Sequence, residues 1–231
     1  MIPDSAYQPQ GLNRQSLLSF KCGRCSQCCT SKKIQVNPYE IARLAANLKT
    51  RTTEVIRCQT IQGVYLKNKD DGQCVFLKAD GCSVHPDRPL VCRLYPFGRH
   101  QTPDGEESFV CSTPHHQCRG NWSNEQTIEE YMTGQDAQEF INAAEFYRTL
   151  LKKLVELLGK EKELALPEWI TVKPGADLQV SFPRFLDPDW VIENVAEITK
   201  TPTDPWQKML VHVKTIEDWI INHNHRKGGD V

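Results

Sequence analysis

Four cysteines fall within eight residues, Cys22-Gly23-Arg24-Cys25-Ser26-Gln27-Cys28-Cys29. No other feature constrains the chain as strongly. Residues 1–15 are polar, with Pro3 and Pro9 but no basic segment leading into an apolar one, so no secretory signal is expected. The expected compartment is the cytoplasm, where disulfides are rare, and dense thiols there point to a metal or an iron–sulfur cluster. Two intervening residues let the chain turn tightly, so that both sulfurs face one centre. Gly23 lies in the first such turn, where a side chain would obstruct the close approach of the backbone. The adjacent pair Cys28-Cys29 behaves differently. In an extended chain neighbouring side chains point to opposite sides. One of the two thiolates can ligate a first centre while the other reaches a second, or packs.

All ten cysteines lie between Cys22 and Cys118, and the last 113 residues have none. Charge divides at the same place. Residues 17–122 hold 15 Lys/Arg against 9 Asp/Glu, and residues 123–231 hold 12 against 19. This predicts a polar tail over 1–16, a cysteine-cluster metal domain over 17–122 and a helical domain or extension over 123–231. The basic residues are scattered, without a basic helix or interleaved aromatics, so they are expected to form a solvated surface facing an acidic neighbour. Nucleic acid is not an expected partner. No apolar run approaches the roughly 20 residues that a membrane-spanning helix needs.

Asn37-Pro38-Tyr39-Glu40 reads as a capped helix start, with Ile41, Leu44, Ala45 and Leu48 recurring at helical spacing. A short helix follows from Thr53 to about Gln59. Residues 61–67 and 74–77 read as short strands around the turn-forming Asn68–Gly72. Residues 79–105, rich in Gly, Pro, His and Cys, read as irregular chain ordered by ligation. From Asp136, the residues Ala137, Phe140, Ile141, Ala144, Tyr147, Leu151, Leu154 and Leu158 mark one face of a long helix ending near Gly159. Further helices are expected over 187–199 and from Asp204-Pro205, the latter with an apolar stripe of Trp206, Leu210, Val213, Ile216, Trp219 and Ile220. A strand-like Leu178–Phe182 lies between. The fold class that follows is mainly α, with short β segments and an irregular cysteine-rich metal-binding core.

Downstream the chain continues Cys74-Val-Phe-Leu and then Gly81-Cys82-Ser-Val-His85-Pro-Asp-Arg88-Pro89-Leu-Val-Cys92-Arg93-Leu-Tyr95-Pro96-Phe97. Together with the opening run this closely resembles the YkgJ-like cysteine-cluster family, the CxxCxxCC zinc- or iron-chelating domain. The family pattern has the CxxCxxCC run, a Cys before an aromatic-Leu pair, Gly-Cys, Arg-Pro and Cys-Arg-x-aromatic-Pro, and each element is present in order within about residues 20–98. The resemblance ends by about residue 122. It implies seven metal ligands, Cys22, Cys25, Cys28, Cys29, Cys74, Cys82 and Cys92, with either Cys111 or Cys118 as a further one. One relative of the family, the flagellin lysine N-methylase, joins a similar cluster to methyl transfer. No glycine-rich turn between a strand and a helix marks a methyl-donor site here, so that activity is not carried over.

Eight thiolates would suit two four-thiolate sites, and soft thiolates select zinc or iron–sulfur clusters over hard cations. The C-x2-C-x2-C spacing points to an iron–sulfur cluster, [4Fe–4S] in the ferredoxin manner. The ferredoxin run's fourth Cys, three residues on, is absent, and zinc is the alternative. Cys58, outside the pattern, is expected to be a buried or free thiol. His85 is expected to be structural, and His115, His116, His223 and His225 to face solvent. Arg88 and Arg93 are expected beside the site, offsetting thiolate charge. Three roles fit such a centre: electron transfer, sensing or metal handling; a protein-modifying enzyme; or a zinc-stabilised module for a protein partner.

Overall fold

The computed structural model describes residues 11–102, 104–160, 184–196, 198 and 200–225, with the side chains of 157–160 and 223–225 left aside. Residues 1–10 of the expected tail, the strand-like Leu178–Phe182, Leu158 and the rings of His223 and His225 therefore lie outside the described residues. Contacts divide the chain into two units, Met1–Ile34 with Asn68–Glu139, and Gln35–Lys67 with Phe140–Val231.

The first unit is built from antiparallel pairs. Strand β1 (Leu17–Lys21) pairs with β8 (Asn121–Thr127), setting Ser19 opposite Ser123, Phe20 opposite Trp122 and Lys21 opposite Asn121. Strands β4 (Leu77–Lys78) and β5 (Gly81–Cys82) form a tight hairpin. Strands β6 (Phe97–Gln101) and β7 (Glu107–Cys111) form a longer one, with Phe97 opposite Cys111. Helix α3 (Leu90–Leu94) precedes β6, and α4 (Ile128–Gly134) follows β8. The start of α4 is local chemistry. Thr127 accepts from the Glu130 N–H while the Glu130 carboxylate reaches back to the Thr127 N–H. The core is aromatic, with Phe20 edge-on to Trp122, Phe97 edge-on to Trp122 and Phe97 tilted against Tyr131. Arg14 ties the pairs together by binding Glu107 on β7 and Glu129 on α4, and Arg99 on β6 also holds Glu107.

Among its described residues the second unit is helical apart from one small hairpin. Helix α1 (Pro38–Leu48) has the expected cap, since Asn37 accepts from the Glu40 N–H and Glu40 accepts from the Asn37 N–H. Helix α2 (Thr52–Gln59) runs into β2 (Thr60–Ile61), which turns at Gly63 and returns as β3 (Tyr65–Leu66). The single strand expected over 61–67 is thus a hairpin. Gly63 has a φ of 72°, a conformation that lets the chain reverse where a side chain would be strained. Helices α5 (Gln138–Lys160), α6 (Pro188–Asn194) and α7 (Pro205–His225) complete the unit. On α5 the buried residues are Phe140, Ile141, Ala143, Tyr147, Leu150 and Leu154, while Leu151 is exposed. The buried stripe is therefore turned slightly from the one read in the sequence.

Two parts of the expected fold class need correction. The chain is a mixture of α and β rather than mainly α, because residues 17–21, 97–101, 107–111 and 121–127 are strands that pair within the first unit. Nor is there a cysteine-rich core among the described residues. The buried residues of the first unit include Phe20, Phe76, Leu94, Phe97, Phe109, Ile128, Tyr131 and Met132, and those of the second are mostly aliphatic or aromatic, with Glu40, Thr52, Asp187, Asp189 and His212 among them; none is a cysteine. Every cysteine is half-buried or exposed. Residues 79–105, expected to be irregular, carry the returning strand of the β4–β5 hairpin, helix α3 and strand β6, whose backbone N–H and C=O groups are paired.

Candidate metal centre

The opening run follows β1 directly. Arg24 and Ser26 have positive φ values (47° and 61°), and the run ends in a 3-10 turn, Gln27–Cys29. Within it the Arg24 N–H donates to Cys22 Sγ at 3.4 Å. The segment Cys118-Arg119-Gly120 lies against this run. Cys25 Sγ and Cys118 Sγ stand 4.0 Å apart. The Arg119 N–H donates to Cys25 Sγ at 3.5 Å, and the Gly120 N–H to Cys118 Sγ at 3.4 Å. A Cβ on Gly23 would run into the carbonyl of Arg119, and one on Gly120 would run into the Phe20 ring. Both glycines are what allow the two segments to meet.

The other thiols are brought in by different contacts. The Cys74 N–H donates to the Cys29 carbonyl at 2.7 Å, and the Ser31 N–H to the Gly72 carbonyl at 2.8 Å. Thr30 and Gln73 bridge between these bonds. Cys82 lies opposite Leu77 in the β4–β5 hairpin, and Cys92 lies on α3.

Electrostatics show which sulfurs feel each other. The Cys29 thiol donates to Cys28 and holds the Cys28 thiol down, at about 7, against its burial. Cys29 is pushed far up by that same bond, by burial and by the charges of Cys28, Cys92 and Cys82. Burial raises Cys74 and Cys82, and the charge of Cys28 adds to both. Burial also raises Cys118, to which Cys25 and Cys22 contribute. At Cys25 burial pulls upward, but donation from the Arg119 and Gln27 N–H groups and from Cys118 leaves it lowered.

The remaining candidates are placed as follows. Cys111 sits on β7 and is raised by burial. Cys58 is exposed on α2, in the other unit, with its sulfur 3.7 Å from Glu54 Oε2. His115 and His116 are exposed and stack with ring centres 4.2 Å apart. His85 is half-buried, with Arg88 Nη1 3.5 Å from its Nδ1. Arg88 also donates to the His85 carbonyl and to Gln135 Oε1, both at 2.8 Å, and its charge lowers Cys82 against burial. Arg93 is buried, and its guanidinium donates to the carbonyls of Pro86, Arg88 and Gln135. It braces the backbone that carries Cys82 and Cys92. Sequence reasoning missed this bracing, and it also missed the pairing of Cys25 with Cys118. The Gln135 carbonyl lies 42 residues from Arg93 and Cys118 lies 93 from Cys25, beyond any local signal.

Among the described residues no group of three or more His, Cys, Asp or Glu side chains is gathered tightly enough to hold a metal ion. The donor chemistry nevertheless fits zinc or iron. The donors are soft thiols, half-buried except for the exposed Cys22, and Cys22, Cys25 and Cys118 accept backbone N–H groups, the outer-shell support that thiolate sites use.

Small hairpins presenting half-buried thiols in this way make up a cysteine-rich domain. Residues 21–119 match the family model described as "CxxCxxCC: Putative zinc- or iron-chelating domain", the same family as the YkgJ-like proteins. Among curated proteins the chain is similar to an uncharacterized protein of Methanocaldococcus jannaschii, 31% identical over 85 residues. That match covers 35% of this chain and 46% of the relative. No solved structure matches the chain. Among the described residues, no helix is long and apolar enough to cross a membrane.

Proposed function

We propose that the cysteine unit is a metal-holding module that binds zinc or iron as single ions in four-thiolate sites, serving metal handling or a metal-stabilised interaction in the cytoplasm. The observation that carries this is the 4.0 Å separation of Cys25 Sγ and Cys118 Sγ. Four sulfurs about 2.3 Å from one zinc lie about 3.8 Å apart along each tetrahedral edge. The thiolates of a [4Fe–4S] cluster each bind a different iron and stand further apart. Cys22, Cys25, Cys28, Cys29, Cys74, Cys82, Cys92 and Cys118 would hold the metal. A bound ion would neutralise thiolates that otherwise repel one another, drawing their loops together.

A second reading is a [4Fe–4S] cluster acting in electron transfer or sensing. It is favoured by the C-x2-C-x2-C spacing and by the Arg24 N–H donating to Cys22 Sγ, as cluster sulfurs require. Oxygen-free purification followed by zinc, iron and sulfide analysis tests both. Zinc, or iron without sulfide, in a protein lacking a broad visible band supports single-ion sites. Iron with equal sulfide overturns them in favour of the cluster. Neither metal at stoichiometric level overturns both readings.

A further inference from the structure

Two of the thiols are brought together by the chain itself. In the β1–β8 pair Phe20 stands opposite Trp122 and Lys21 opposite Asn121, so the segment leaving β1 and the segment entering β8 start side by side. Gly23 and Gly120 let them remain so. A Cβ on Gly23 would strike the Arg119 carbonyl, and one on Gly120 the Phe20 ring. The turn that carries Cys118 is pinned, since the Cys118 N–H donates to the His115 carbonyl at 2.7 Å and the His115 N–H to the Tyr95 hydroxyl at 3.4 Å. Cys25 and Cys118 therefore meet with 4.0 Å between their sulfurs, each only half-buried and open to a small solute.

We propose that Cys25 and Cys118 are a redox pair, closed by hydrogen peroxide into a reversible disulfide that removes both thiolates from metal binding. Removal from metal binding rests on the chelation reading above; the disulfide itself does not. Bonded sulfurs stand about 2.05 Å apart, so the two must approach by roughly 2 Å through rotation about their Cα–Cβ bonds. The adjacent Cys28 and Cys29 are less suited. Neighbouring Cα atoms lie about 3.8 Å apart across a trans peptide, short of the roughly 4.4 Å at which ordinary disulfides begin. Closure takes two balanced steps. One sulfur attacks a peroxide oxygen, the O–O bond breaks, and the leaving hydroxide takes the thiol proton away as water, which leaves a sulfenic acid. The other sulfur then attacks the sulfenic sulfur, the S–S bond forms, the S–O bond breaks, and the second thiol proton leaves in another water. The sulfurs are oxidised and the peroxide oxygens reduced. A dithiol reverses the bond by exchange through a mixed disulfide. In a reducing compartment such a bond is transient and suits sensing.

The experiment uses the full chain, purified without oxygen and either loaded with zinc or stripped of metal by a chelator. Both forms are treated with hydrogen peroxide, quenched in acid, unfolded and alkylated, and disulfides are mapped by fragmentation mass spectrometry. A coloured chelator follows zinc release from the loaded form. In the stripped form free thiols are expected to fall from the ten of the sequence by the two of one disulfide. The linked peptides are expected to be those of Cys25 and Cys118, and dithiothreitol should restore all ten thiols. In the loaded form zinc should be released in step with the same link. Cys118→Ser should abolish the link and Cys111→Ser should keep it. Linkage of Cys22 to Cys25, of Cys28 to Cys29, or of no fixed pair in the stripped wild-type chain overturns the redox pair, whatever the variants do. Closure of the Cys25–Cys118 link with zinc still bound overturns the removal of thiolates from the metal. A chain that takes up no zinc yet closes this link overturns zinc chelation and leaves the redox pair standing.

Discussion

Single residues in both units carry consequences out of proportion to their size. His212 is fully buried, with Nδ1 3.0 Å from the Tyr147 hydroxyl and Nε2 2.9 Å from the Phe185 carbonyl. The carbonyl can only accept, so Nε2 carries the proton and Nδ1 accepts from Tyr147. Burial pushes the folded-state pKa down to about 4, opposed by the bond to Phe185. The unfolded chain, with a value near ~6.5, then binds the proton more tightly than the fold does. Above pH ~6.5 neither state is protonated and the stability is fully present; it is lost as pH falls from there toward 4, by about 3 kcal/mol in all. Urea midpoints measured between pH 7.5 and 4 should show this loss, and His212→Gln, which keeps a donor and an acceptor but does not titrate, should flatten it. At Gly23 the issue is space. Gly23→Ala puts a methyl into the Arg119 carbonyl, and relieving an overlap of that kind costs about 1–3 kcal/mol. Metal affinity measured against a competing chelator should fall by about tenfold or more, with the fold of β1 and β8 retained.

At the scale of elements, the second unit depends on how α2 and α6 begin. Asp187 caps α6, accepting from the Trp190 N–H at 3.3 Å, and also accepts from the hydroxyls of Thr52 and Thr53 at 2.5 and 2.6 Å. Asp189 accepts from the Thr52 N–H at 2.8 Å and from Lys208 on α7. Asp187→Ala removes a cap and leaves the buried Thr52 hydroxyl without that partner, so a loss of about 2–3 kcal/mol is expected from denaturant unfolding. Asp187 was legible as a helix boundary because capping is local, and the same holds for Asn37 and Glu40 on α1. The thiol motif was legible for the same reason, since its spacing lies within one turn after another. The β1–β8 pair was not legible. Its partners are about 100 residues apart, and Asn-Trp-Ser-Asn-Glu-Gln-Thr lacks the apolar alternation that marks a half-buried strand. On α7 the apolar stripe was read without Met209 and His212, both fully buried. A histidine looks polar in sequence, and only its two partners in the fold make burial tolerable.

For the whole molecule, the question is what a metal would hold together. The first unit already buries Phe20, Phe76, Phe97, Phe109, Ile128 and Tyr131, and the Tyr131 hydroxyl donates to the Tyr95 carbonyl at 2.8 Å. None of that core is a thiol. Small zinc domains unfold on losing their ion because coordination replaces a core; here a core exists without it, and the thiols occupy its half-buried margin. Removing the metal should therefore loosen loops rather than unfold the unit. Hydrogen exchange after chelation should rise by about tenfold or more at residues 22–34, 72–94 and 111–120. Exchange on β1, β8 and α4, and on α1, α5 and α7 of the second unit, should stay within twofold. Near-ultraviolet circular dichroism from Trp122, packed between Phe20 and Phe97, gives an independent readout and should survive chelation. Its collapse, together with uniform exchange across the first unit, would mean that the ion and not the aromatic core is what folds this domain.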